Sequence, residues 1–179
     1  MLEDLAPGRP GEAELPQLLD WAVELAGPPG PPLERSAEWA EHAKLLRGQV
    51  PDEALATVAG LPSRHMHGDL QPKNVLASGG RLTAIDWEGA WREGIPGLDV
   101  VYLALFAHGL DPAVLADPPE PVRAALARVG VGDDALPAAL YVMLGTWATA
   151  EDRRRVRLGS QPGEPFFRPL LAKLGPGLR

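Results

Sequence analysis

Residues 65–86, HMHGDLQPKNVLASGGRLTAID, interrupt a chain that is otherwise patterned as helix. Upstream, LPQLLDWAVELAG places Leu18, Leu19, Ala22 and Leu25 on one helical face, with Pro16 in the first turn and Gly27 before PPGPP as the stop. LERSAEWAEHAKLLRG (33–48) reads as a second helix, with Leu33, Trp39, Ala43 and Leu46 on one side, and PDEALATVAG (51–60) as a third, opened by Pro51 and Asp52. Downstream the pattern is helical again over about 98–108, 119–129, 135–157 and 166–174. Between the two helical blocks HMH, NVLAS and RLTAID are short and extended, and SGG (78–80) joins the last two as a tight turn. The fold class expected is α+β: one mainly helical domain over residues 1–179 with a small central β-hairpin that carries the polar residues.

Several functions are excluded before any motif is read. There is no cysteine, so disulfides, zinc–thiolate centres and thiol chemistry are out. The net charge is −7, and the densest basic spot, RRR at 153–155, follows Glu151 and Asp152, which is the texture of a solvated helix face and no nucleic-acid track. The longest apolar run, VVYLALFA (100–107), is far shorter than the roughly 20 residues a membrane-spanning helix needs. MLEDLAPGRP lacks the basic and apolar regions of a signal peptide. A cytoplasmic protein with neither a nucleic-acid nor a membrane partner is expected.

The central insert admits two chemical readings. HMHGD superficially matches the histidine-rich box of metallo-β-lactamase-like zinc enzymes. That box continues with another histidine, whereas Leu70 follows Asp69 here, and His108 is the only histidine downstream. Phosphoryl transfer uses more of the residues. It needs a carboxylate to receive the acceptor's hydroxyl proton and hard oxygen ligands for Mg²⁺, at rigid spacing. Asp69 supplies the carboxylate, and Asn74 and Asp86 supply the ligands, brought together by the hairpin through SGG.

The stretch HGDLQPKNVLASGGRLTAIDWEGAWREGIPGLDV resembles the aminoglycoside phosphotransferase and choline kinase family, relatives of the protein kinases. The resemblance implies that Asp69 is the catalytic aspartate, that Asp86 of IDW is a metal ligand together with Asn74, and that the cofactors are ATP (or GTP) and Mg²⁺. It also implies that His67 holds the loop through hydrogen bonds. Gly94, Pro96, Asp99 and Val100 match a further family pattern, in which Asp99 supports the catalytic loop without taking part in the chemistry. Lys73 has two readings, a phosphate contact from within the loop or a solvated lysine. Glu88 faces either the metal region or the acceptor, and Trp91 is either core or wall, or stacks on the substrate. The acidic residues Glu88, Glu93, Glu151 and Asp152 read either as an attraction for a cationic acceptor or as a solvated face.

LEDLAPGR, at residues 2–9, resembles the family's hinge, where the backbone around Glu3 and Leu5 would meet the adenine. The family's small lobe brings a phosphate-covering glycine loop and a strand lysine. The three lysines here, Lys44, Lys73 and Lys173, all lie outside strand contexts. The chain is therefore expected to be the large C-terminal lobe of a kinase-like fold, with a hinge-like segment at 1–10, catalytic and metal-binding loops at 65–100, and no N-terminal β-lobe. Two functions follow as alternatives. One is an ATP-dependent phosphotransferase acting on a small-molecule hydroxyl; the other is a catalytically incomplete binding module. Self-association, or a partner supplying the missing lobe, is expected in either case.

Overall fold

The computed structural model describes residues 15–78, 81–158 and 166–174. The hinge-like segment with Glu3 and Leu5 lies outside them. Helix α1 (Leu15–Leu25) buries Leu15, Leu18, Leu19 and Ala22, while Leu25, expected on the same face, is only partly buried. The second segment is not one helix. A 3₁₀ turn at Leu33–Arg35 ends at Ser36, whose extended backbone and hydroxyl cap a new helix, α2 (Ala37–Leu46), by accepting the Trp39 N–H at 3.2 Å. The N-cap preference of serine overrides the helical pattern running through it. Helix α3 (Asp52–Ala59) starts after Pro51, with Asp52 and Glu53 in its first turn, where carboxylates suit the helix dipole.

Strand β1 (Arg64–Met66) leads into the motif, and β2 (Val75–Ser78) pairs antiparallel with β3 (Arg81–Ala84), Val75 opposite Ala84 and Ser78 opposite Arg81. This is the expected hairpin. A second antiparallel pair joins β1 to β4 (Trp91–Gly94), which sequence patterning did not expose, because four residues of WREG carry no alternation of their own. Then follow α4 (Leu98–Ala107), a short α5 (Ala113–Ala116) that was also unforeseen, α6 (Glu120–Arg128), α7 (Leu136–Leu158) and α8 (Phe167–Leu174).

The apolar run at 100–107 becomes a core helix: every residue of α4 from Leu98 to Leu105 is buried. No helix among the described residues is long and apolar enough to cross a membrane. Helix α7 is the central post, packed against α2, α3 and α8. Glu151 of α7 accepts the N–H groups of Phe166 (2.7 Å) and Phe167 (3.1 Å) at the start of α8, and Asp152 pairs with Arg168. Arg64 ties the other end together. Its guanidinium donates to the carbonyls of Gly27 (2.5 Å), Arg128 (3.2 Å) and Val129 (3.0 Å), just beyond α1 and at the end of α6. A cation is favoured where helix carbonyls lie unpaired.

Candidate active site

The segment after β1 turns at Gly68, whose φ of +84° is a left-handed conformation that costs glycine little. A Cβ there would stand 2.5 Å from the Gly89 carbonyl oxygen, so the loop lies directly on the turn at Trp87–Gly89. Asp99, in the first turn of α4, clamps this bend from below. Its Oδ2 accepts the His67 N–H at 2.6 Å and its Oδ1 the Gly68 N–H at 2.9 Å. Burial pushes the Asp99 carboxyl up to about 6 from its ordinary 3.8; the two N–H bonds oppose the rise, and the nearby Asp69 charge adds to it.

His67 is 1 % exposed and bonded through both ring nitrogens. Nδ1 accepts the Asp69 N–H (3.3 Å), so the ring proton sits on Nε2 and is donated to the Ile85 carbonyl (2.8 Å). The ring packs on Trp87 at 4.8 Å. With both nitrogens spent on the backbone, His67 is free neither as a base nor as a zinc ligand; it joins the loop at residues 67–69 to the end of β3. His65 is exposed on β1. Among the described residues no cluster of three or more His, Asp or Glu is arranged to hold a metal by itself, so the zinc-hydrolase reading has no site.

Asp69 is half-buried, and each of its carboxylate oxygens is held by an amide. Gln71 Nε2 donates to Oδ1 at 2.7 Å, and Asn74 Nδ2 donates to Oδ2 at 3.1 Å and to the Asp69 carbonyl at 2.8 Å. Gln71 was not singled out from the sequence, although it lies inside the motif. Asn74, 4 % exposed, ends a 3₁₀ turn, and its NH₂ group is committed to Asp69, leaving Oδ1 bonded to no described residue. Its carbonyl accepts the Ile85 N–H at 2.9 Å, which continues the β2–β3 pairing by one step and sets Asn74 beside the residue preceding Asp86. Asp86 is exposed, bonded to no described residue, and held at φ 65°, ψ 61°. A non-glycine residue in that region stores strain, which is common at functional sites. Two oxygen donors, each bonded to no described residue, therefore lie at one end of a hairpin whose loop holds the fixed carboxylate. That donor set fits Mg²⁺, which takes one or two protein oxygens and fills the rest of its shell with water and phosphate.

A model of the phosphotransferase enzyme family matches residues 2–155. The chain belongs to that family. The resemblance read from HGDLQPKN and IDW thus stands, and so does the expected fold, a mainly helical kinase-like large lobe. Among solved structures, a choline kinase, LicA from Streptococcus pneumoniae, is similar over 93 % of this chain and 63 % of its own length, at 17 % identity and a TM-score of 0.55. A glucosamine kinase in complex with glucosamine, ADP and inorganic phosphate covers 90 % of this chain and 45 % of its own, at 24 % identity and a TM-score of 0.36. The chain thus spans less than two thirds of the length of these phosphotransferase-like structures. No curated protein matches it.

The remaining candidates are less concentrated. Lys73 is exposed in the turn and bonded to no described residue, and Glu88 is exposed just after Asp86. Trp91 is half-buried on β4, and its ring meets the edge of His42 of α2 at 5.0 Å; it packs against α2, and no bond links it to Asp69. Glu151 and Asp152, considered as attractions for a cationic acceptor, are already engaged at α8. The only large hydrophobic residues exposed among those described are Ile85 (38 %) and Trp87 (46 %), one on each side of Asp86.

Proposed function

We propose that this chain carries the catalytic centre of a phosphotransferase that moves a phosphoryl group from ATP (or GTP) to a hydroxyl of a small molecule. The observation that carries this reading is the Asp69 carboxylate fixed by Gln71 and Asn74 while the Asn74 Oδ1 and the Asp86 carboxylate stay free. Each Asp69 oxygen accepts one amide N–H and keeps lone-pair capacity for the acceptor's hydroxyl proton. Asp69 is then the general base, held in direction by bonds that cost no reorganisation during reaction. Asn74 Oδ1 and Asp86 are the residues that would hold Mg²⁺, which when bound neutralises charge on the phosphates. Lys73, solvated in the loop, is assigned to a phosphate oxygen. Asp99 and His67 position the loop and do not touch substrate. Ile85 and Trp87 form apolar surface beside Asp86 that a nucleotide, or a covering lobe from this or another chain, would bury.

The test is ATP-dependent phosphorylation of a panel of small alcohols and amino sugars by the full gene product. Asp69→Asn is expected to lower turnover by about 10²–10⁴ while the urea midpoint of the folded protein stays close to the parent's. Unchanged turnover in this variant would remove Asp69 from the role of base.

A further inference from the structure

Gln71 is half-buried and fixed through its backbone on both sides. Its N–H donates to the Asp69 carbonyl at 2.9 Å, and its own carbonyl accepts the Asn74 N–H at 2.8 Å. Pro72 follows it, and a proline ring confines the residue before it to extended backbone; Gln71 lies there, at φ −104° and ψ 160°. The side chain thus starts from a rigid anchor, and its Nε2 donates to Asp69 Oδ1 at 2.7 Å. A carboxylate only accepts hydrogen bonds, so the amide nitrogen is the atom turned to Asp69, and Oε1 is bonded to no described residue.

The Asp69 backbone is held by other means: its N–H donates to His67 Nδ1, and its carbonyl accepts from the Gln71 N–H and from Asn74 Nδ2. What remains to be fixed is the plane of the carboxylate, because the terminal torsion of an aspartate is broad and lacks sharp staggered wells. A bond to one oxygen lets the other swing, whereas one bond to each oxygen fixes the plane. Asn74 supplies the bond to Oδ2, at 3.1 Å, from an amide whose oxygen is assigned above to Mg²⁺. Gln71 supplies the bond to Oδ1 and has no second side-chain partner among the described residues.

We infer that Gln71 is a positioning residue of the general base: it sets the plane of the Asp69 carboxylate before metal and nucleotide arrive, and it acts on turnover without acting on the binding of either. The assignment rests on the proposed phosphoryl transfer with Asp69 as base. The test is a double-mutant cycle on the full gene product, read as ATP-dependent phosphorylation of whichever panel alcohol is turned over fastest. Gln71→Met keeps the length of the side chain and removes the donor. It is expected to lower kcat by about 10–100-fold, the effect of a misaimed base, with the KM for ATP and the Mg²⁺ dependence unchanged. Gln71→Glu keeps the shape but sets a second carboxylate against Asp69, so its loss should be larger. In the Asp69→Asn background Gln71→Met should cost less than about 3-fold more, because residues acting as a unit are not additive. The contact is also read independently of turnover: the Gln71 side-chain amide pair in a ¹⁵N spectrum should move in Asp69→Asn, with the urea midpoint near the parent's. Parental kcat in Gln71→Met, an equal further loss in the Asp69→Asn background, or a Gln71 amide pair insensitive to Asp69→Asn would each overturn the proposal. Parental turnover in Asp69→Asn is a separate failure, which removes the base itself and with it the group Gln71 positions.

Discussion

Asp99→Asn separates the positioning of the Asp69 loop from the stability of the lobe. The substitution keeps the side chain's shape and removes its charge. Burial raises the Asp99 carboxyl from 3.8 to about 6, a shift of about two pH units, so at pH 7 folding is about 3 kcal/mol less favourable than if this group kept its unfolded value. A raised folded-state pKa fixes the sign: the stability linked to this group is fully present below about 3.8 and is lost as pH rises through about 6. Asparagine mimics the neutral acid, with one oxygen left for the His67 and Gly68 N–H groups in place of two. The variant is therefore expected to match the parent near pH 4 and to gain up to about 3 kcal/mol on it by pH 7. On the proposed function, phosphoryl transfer should move the opposite way, by about 10² or more, because the bend that aims Asp69 loses half of its clamp. Urea denaturation followed by tryptophan fluorescence at pH 4, 5.5 and 7 measures the first effect. An Asn variant less stable than the parent at pH 7 would show that the two short N–H bonds outweigh the burial of the charge, and the reasoning would fail.

Further predictions concern residues outside the chemistry. His42 is buried, donates Nε2–H to Thr146, and is pushed down to about 4, mainly by burial and then by the Arg153 charge; stability linked to it is present above about 6.5 and lost as pH falls toward 4, so His42→Gln should flatten the acid limb of the stability profile. Arg64→Met breaks three bonds to carbonyls at the ends of two helices and should cost about 3 kcal/mol in chemical denaturation, at about 1 kcal/mol per bond. Gly68→Ala forces a Cβ against the Gly89 carbonyl at positive φ; about 1–3 kcal/mol of local strain is expected, with amide shifts in 87–89 that a change confined to residue 68 would not produce.

The sequence alone determined the parts of this protein that local rules govern. Leu18, Leu19 and Ala22 recur at helical spacing, and SGG permits one tight hairpin, so most helices and the β2–β3 pair were legible, as was the order of Asp69, Asn74 and Asp86. Ser36 was legible in principle, since a serine ahead of an apolar-periodic run is a capping signal; continuous helical patterning on both sides masked it. Only the tertiary structure decided what depends on distant partners. Met66 meets Trp91 across 25 positions, and His42 meets Thr146 across 104, and no periodicity records such pairings. The same holds at the site. The motif names Asp69, but that both its oxygens are held by neighbouring amides, and that the His67 proton lies on Nε2, follows from where the loop is pressed between α4 and the end of β3. Spacing along the chain sets which chemical groups are available, whereas their direction and burial are set by packing against residues the motif does not contain.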